Sequence, residues 1–170
     1  MIVALIAETM WWLLVPMVAG LVLMWGLAAD SSVIDDLLAL DVRLALMCSD
    51  FSDQRAQVVR QLNTAGVPVT GIPLLPLAEG YYFTTDNADR AAGRYRQFTA
   101  WTGRHQMVWD RVGLDIEPDA AIYLQIMKNP WALVPMLLPR LLDRARPARA
   151  RAAYRALVEQ IRADGWQVEN

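Results

Sequence analysis

The sequence predicts an α/β fold, a parallel sheet of βα repeats, and three observations predict it. Short runs rich in Val, Leu and Ile alternate with amphipathic stretches of helical length, the rhythm of strand–helix–strand units with right-handed crossovers. Counted from Gly20, the alternation makes four such units and the opening strand of a fifth. The chain has 170 residues, of which 55 % are apolar and 20 % charged, enough for one core and far from a disordered composition.

Residues 1–29 form an apolar N-terminal segment, set apart from a βα-repeat domain over 30–170. No charge occurs from Met10 to Ala29, and the run 11–27 is long enough to cross a bilayer, with Trp11, Trp12 and Trp25 near its ends as interfacial aromatics would be. No Lys or Arg precedes Arg43, so a signal-peptide n-region and a positive-inside flank are both missing. Two parsings follow. In one, residues 10–29 anchor the chain in a membrane; in the other, residues 1–19 are an apolar helix and residues 20–27 a buried strand, because strands of parallel sheets read as unbroken apolar runs. The corresponding locations are membrane-associated and cytoplasmic.

From Asp30 the alternation is regular. Asp30 or Ser31 caps a helix through Leu40 with Val33, Ile34, Leu37 and Leu38 on its buried face, and residues 42–48 make a strand. Ser52 or Asp53 caps a helix over 54–65, whose stripe is Val58, Val59 and Leu62 and whose C′ residue is Gly66. Residues 67–76 are a strand with prolines at its ends and an awkward Pro73 inside. A helix over 88–102, capped by Asp86 or Asn87, carries Ala91, Tyr95 and Phe98 at helical spacing. Residues 112–117 are the next strand.

Past Asp119 the pattern is helical but broken, with pieces over 120–128, 132–142 and 148–163 and with Pro130 and Pro147 between them. Tyr154, Leu157, Val158 and Ile161 make the apolar face of the last piece. The arginines at 140, 144, 146, 149, 151 and 155 read as a solvated face, with a membrane-surface patch as the alternative. A strand opens at Trp166.

Sixteen basic and eighteen acidic residues give a net charge of −2, which argues against nucleic acid as a partner. Cys48 is the only cysteine and His105 the only histidine, so the chain has no internal disulfide and no cysteine-type zinc site. His105 lies in a Gly-Arg-His-Gln turn and reads as an exposed loop residue rather than a catalytic base.

The chemistry concentrates in Val112-Gly113-Leu114-Asp115-Ile116-Glu117-Pro118-Asp119. Side chains alternate along a strand, so Asp115 and Glu117 share one face and Leu114 and Ile116 the other. The two acids are then about 6–7 Å apart at the backbone, and Pro118 ends the strand. Neighbouring carboxyls raise each other's hold on a proton, and glycoside hydrolysis needs one carboxyl kept as an acid beside a second acting as base or nucleophile. Tyr81 and Tyr82, in the loop after the preceding strand, offer ring faces that suit sugars; the bland alternative is loop packing.

The βα count is half of an eight-fold barrel, so the fold resembles the N-terminal half of a TIM barrel preceded by an apolar helix. A complete barrel usually needs roughly 200 residues or more. The chain is therefore expected to be a fragment, an incomplete relative or an open sheet, and in the fragment case to turn over nothing by itself. Active sites of such barrels lie at the carboxyl ends of the strands, where Asp115 and Glu117 fall.

The segment 113–119 resembles the Asp-x-Glu end of the catalytic strand in chitinase-like glycoside hydrolases and in lysozymes of the Asp-x-Glu barrel type; in the chitinase-like family that strand is also the fourth. The resemblance implies a carbohydrate substrate and no cofactor, with Glu117 protonating the glycosidic oxygen and Asp115 orienting substrate or intermediate beside it. Tyr81, Tyr82 and Asp119 are the expected substrate-binding residues. Gly113 stands where the chitinase signature has a further aspartate, so the substrate-assisted mechanism is not implied. Two alternatives stay open: Asp115, Glu117 and Asp119 holding Mg²⁺ for phosphodiester cleavage, and a non-catalytic membrane-associated protein.

Overall fold

The computed structural model describes residues 31–117 and 142–169. The anchor expected at 10–29 or, in the other parsing, the helix at 1–19 and strand at 20–27, together with Asp119 and the helical pieces expected between 120 and 141, lie outside these residues. Within them the protein is α/β, with a four-stranded sheet in the order β1-β2-β3-β4, all parallel. The strands are β1 (Leu44–Cys48), β2 (Val69–Pro73), β3 (Arg111–Gly113) and β4 (Gln167–Glu169). The helices are α1 (Ser31–Ala39), α2 (Asp53–Ala65), α3 (Ala88–His105) and α4 (Arg146–Ala163). Each strand pairs with the next in sequence, and helices separate them, as in a βα-repeat fold.

One face of the sheet meets the helices. Leu46 and Cys48 of β1, Val69 of β2 and Val112 of β3 point into a core shared with Val58, Val59 and Leu62 of α2, Tyr95, Phe98 and Trp101 of α3, and Leu157 and Ile161 of α4. Burying side chains of this size contributes about 1.5–3 kcal/mol each. An aromatic cluster fills the centre: the Phe98 ring lies 5.2 Å from Trp109 and 6.2 Å from Trp101, and Phe51 stacks 5.2 Å from Trp101. Gly71 makes the close approach possible, since a Cβ there would sit 2.7 Å from Phe98 and 2.9 Å from Trp109. Val33, Ile34 and Leu37 of α1 pack at the margin. Leu38, expected on the same face, is 44 % exposed, because a short helix lying on the edge buries a narrow stripe.

Several boundaries differ from expectation for local reasons. Ser52 caps α2, its hydroxyl accepting from the Arg55 N–H at 3.3 Å, and Gly66 closes it at φ 84°. Asn87 precedes α3 but its side chain does not cap it. Instead Asn87 Oδ1 accepts from the Thr84 N–H at 2.7 Å and Nδ2 donates to the Tyr82 carbonyl at 2.9 Å. α3 runs on to His105 and ends on Gln106 at φ 53°, so His105 is helical rather than in a turn. Pro73 ends β2 instead of interrupting it, since proline cannot donate to a ladder. Pro147 falls in the first turn of α4, where a missing N–H costs nothing, and so starts the helix it was expected to precede. The expected strands at 42–48, 67–76, 112–117 and 166–170 are all present but shorter.

Candidate active site

At the carboxyl end of β3 the regular ladder stops at Gly113. The Leu114 N–H still donates to the Glu169 carbonyl at 3.0 Å, and then the chain crosses to the opposite neighbour: Ile116 bridges Phe83, and the Glu117 N–H donates to the Phe83 carbonyl at 2.9 Å. Strand alternation therefore does not extend through the acids. Leu114 is buried at 5 % exposure while Ile116 is 44 % exposed, so they do not share a buried face as expected; the pleat that would align them has ended. Asp115 is half-buried and Glu117 exposed.

The same crossing brings Tyr81 and Tyr82 to the acids. Their rings meet edge to face at 4.9 Å. The loop that carries them is fixed by the Leu75 N–H to Tyr81 carbonyl bond at 2.9 Å, by the Asn87 clamp, and by Gly80 at φ 105° and Tyr81 at φ 63°. A positive φ at tyrosine is uncommon and is held only where its surroundings dictate it. Phe83 next to them is fully buried, and the Tyr154 hydroxyl donates to the Thr84 carbonyl at 2.5 Å.

The electrostatics are those of carboxyls short of positive partners. Burial pushes the Asp115 carboxyl up from the ordinary aspartate value. Burial and then the Asp115 charge push Glu117 up. Burial raises the Tyr82 phenol, with Glu117, Tyr81 and Asp115 adding to it; burial also raises Tyr81. Among the described residues neither acid makes an ion pair.

On the face of the sheet opposite the helices lies a cleft of about 390 Å³ whose lining includes Arg43, Thr70, Ile72, Asp115 and Glu169. Asp115 opens onto it; Glu117 is not part of its lining.

Arg94 is a residue the sequence reading passed over. It is 7 % exposed, stands 3.8 Å over the Phe51 ring, and donates to the carbonyls of Leu74 at 2.5 Å, Ser49 at 2.6 Å and Cys48 at 3.4 Å, and to Gln97 Oε1 at 2.9 Å. It thus ties the carboxyl ends of β1 and β2 together beneath the site. Its signal was available: Arg94 lies three residues after Ala91 and four before Phe98, on the apolar stripe itself. Next to it Arg55 donates to Asp50 Oδ2 and to the Met47 carbonyl, both at 2.8 Å, and holds Asp50 down at about 2.

Other candidates do not converge on the site. His105 Nε2 lies 3.3 Å from Asp53 Oδ1 and its ring is 6.3 Å from Trp101, so it is a half-buried helix-end residue rather than an exposed loop residue. Cys48 is fully buried and its thiol is pushed up to about 12 by burial, which keeps it from acting as a thiolate. Among the described residues no group of three His, Cys, Asp or Glu side chains is placed to hold a metal ion; Asp119, the third member of the Mg²⁺ alternative, lies outside them. No described helix is long and apolar enough to cross a membrane. No protein-family model, no curated protein and no solved structure matches this chain.

Proposed function

We propose that the acids at the end of β3 form a carbohydrate site of the glycoside hydrolase kind, on a sheet that is an arc of a (β/α)₈ barrel. The arc reading rests on the sequential strand order, the helices gathered on one face, and the acids at the carboxyl ends. The observation that carries the functional reading is the crossing after Gly113, with Asp115 and Glu117 close enough to act electrostatically on Tyr81 and Tyr82 and both carboxyls pushed up from their ordinary values by burial. Glu117, raised by burial and by its neighbour, is the proton donor to the glycosidic oxygen; Asp115 is the carboxylate that stabilises positive charge developing at the sugar carbon. The paired tyrosines supply ring faces for stacking.

The test is binding and turnover of oligosaccharides and aryl glycosides by the full chain and by Glu117→Gln. The substitution keeps shape and removes the proton, so turnover should fall by roughly 10²–10⁴ with affinity little changed. Aryl glycosides with activated leaving groups should lose less. In Asp115→Asn the alkaline limb of the pH profile should move to lower pH, since Glu117 gives up its proton more easily without the neighbouring charge. Binding without turnover in the wild-type chain would reduce the site to carbohydrate recognition; no binding of any sugar would overturn the reading.

A further inference from the structure

The cleft on the sheet face opposite α1–α4 carries a second carboxylate that the strand motif does not contain. Glu169 of β4 stands opposite Gly113 of β3 in the ladder, and Thr70 of β2 stands opposite Arg111. Yet the Thr70 hydroxyl donates to Glu169 Oε2 at 3.2 Å, so the Glu169 side chain lies across the middle strand to reach the far one. It does so over Gly113, where there is no side chain to obstruct it; a Cβ at Gly113 would sit 2.8 Å from Ile72 and 3.5 Å from Thr70. Asp115 follows Gly113 by two residues on the same strand and lines the same cleft. Two carboxylates thus share one concavity among its described lining residues, Glu169 exposed and Asp115 half-buried.

Among the described lining residues, the cation Arg43 is already engaged. Arg43 Nε pairs with Asp110 Oδ2 at 2.6 Å, and Arg111 Nε approaches the same carboxylate at 3.5 Å. At the amino-terminal end of the strands two guanidiniums thus share one carboxylate, while the carboxyl-terminal end offers oxygens that accept hydrogen bonds. A ring bearing several hydroxyls donates to such oxygens, and ionised carboxylates are strong acceptors. A sugar acid or phosphorylated sugar would place its own anion against Asp115 and Glu169, a like-charge contact.

We infer that the cleft takes a neutral, hydroxyl-rich sugar ring and discriminates against anionic sugars, with Glu169 as a positioning residue that Thr70 holds over Gly113. The inference rests on the carbohydrate reading of the site and specifies its substrate class. It adds a specificity determinant from a different strand and assigns Gly113 a steric role.

The experiment is titration calorimetry of the full chain against an array of neutral tetrasaccharides (glucans, mannans, N-acetylchitotetraose) and uronate tetrasaccharides, repeated with Glu169→Gln and Thr70→Val. The wild-type chain should prefer the best neutral tetrasaccharide over any uronate by about tenfold or more. Glu169→Gln should weaken the neutral sugar by about tenfold, through loss of a charged acceptor, and strengthen uronate binding. Thr70→Val, which frees Glu169 without removing its charge, should weaken the neutral sugar and leave the uronates rejected. Opposite effects on the two sugar classes are a result that a purely structural role for Glu169 would not produce. If Glu169→Gln does not fold, the wild-type preference decides. Uronates bound as well as neutral sugars, or equal losses for both classes in Glu169→Gln, would overturn the inference while leaving the carbohydrate site standing. If no sugar of either class binds, both readings fall together.

Discussion

Replacing Arg94 with methionine tests whether the carboxyl end of the sheet is held together by one buried guanidinium. Methionine keeps most of the apolar stem and removes the fork. Of the three carbonyls that Arg94 reaches, Cys48's also accepts from the Leu74 N–H at 3.0 Å, so it keeps a partner. The Leu74 and Ser49 carbonyls lose theirs, at about 1–3 kcal/mol each when left unsatisfied away from water. Losing the guanidinium from over the Phe51 ring adds about 0.5–2 kcal/mol. Against this, a charge that burial disfavours is no longer taken out of water, which returns part of the cost. The net loss should be about 2–4 kcal/mol, read as a lower urea midpoint at unchanged slope. Arg94→Lys should recover less than half of it, because an ammonium is a point donor that cannot fork between strands. Hydrogen exchange should show the protection lost first in residues 74–84 and at the end of β1, not in α1. A loss below about 0.5 kcal/mol in Arg94→Met would put these bonds within the range of ordinary surface substitutions, and the anchoring argument would be wrong.

Two further predictions concern the site and the core. Burial raises the Asp115 carboxyl in the folded chain, so the stability associated with it is fully present below the ordinary aspartate range and is lost as pH rises through the raised value. Asp115→Asn should therefore be more stable than the wild-type chain at pH 7 and indistinguishable from it at pH 3, measured by thermal unfolding across pH; equal stability at both values would contradict the burial argument. Gly71→Ala drives a methyl to within 2.7 Å of Phe98 and 2.9 Å of Trp109, and overpacking of this kind costs about 1–3 kcal/mol, which urea unfolding would read; a neutral result would mean that α3 can shift away without loss.

The parts of the fold legible in the sequence are those set by periodicity. Val58, Val59 and Leu62 mark α2, and Ala91, Tyr95 and Phe98 mark α3, because a helix must present one stripe to a single sheet face. The strands were recognisable as apolar runs, but their lengths were not. A ladder persists only where its neighbour runs alongside, and β3 has neighbours on both sides for only part of its length. Asn87 shows the same limit at a cap: its type marks a helix start, yet the Thr84 N–H and Tyr82 carbonyl compete for its side chain and win. Pro147 could have been read as a first-turn residue from the helical pattern that follows it.

The acids of the candidate site were legible and their arrangement was not, for one reason. Asp115 and Glu117 stand out because two carboxyls two residues apart, at the end of an apolar run, are costly unless used or satisfied. Their geometry depends on where the chain goes after Gly113, and that is decided by Phe83, 33 residues upstream of Ile116. Glu169 is more remote still, 99 residues from the threonine that holds it. Such contacts exist only once the sheet is assembled. The supports follow the same logic: Arg55 bonds the loop after β1, Asn87 the loop after β2, and Arg94 joins the two, so each polar clamp near the site is satisfied by backbone or by a carboxylate. Among the described residues, Asp115, Glu117 and Glu169 are acids there that the scaffold leaves without a cation. At the carboxyl end of the sheet the loops are thus tied by arginine and asparagine clamps, while Asp115 and Glu117, both pushed up by burial, stay beside the paired tyrosines, the kind of perturbed carboxyl that the Glu117→Gln and Asp115→Asn tests address.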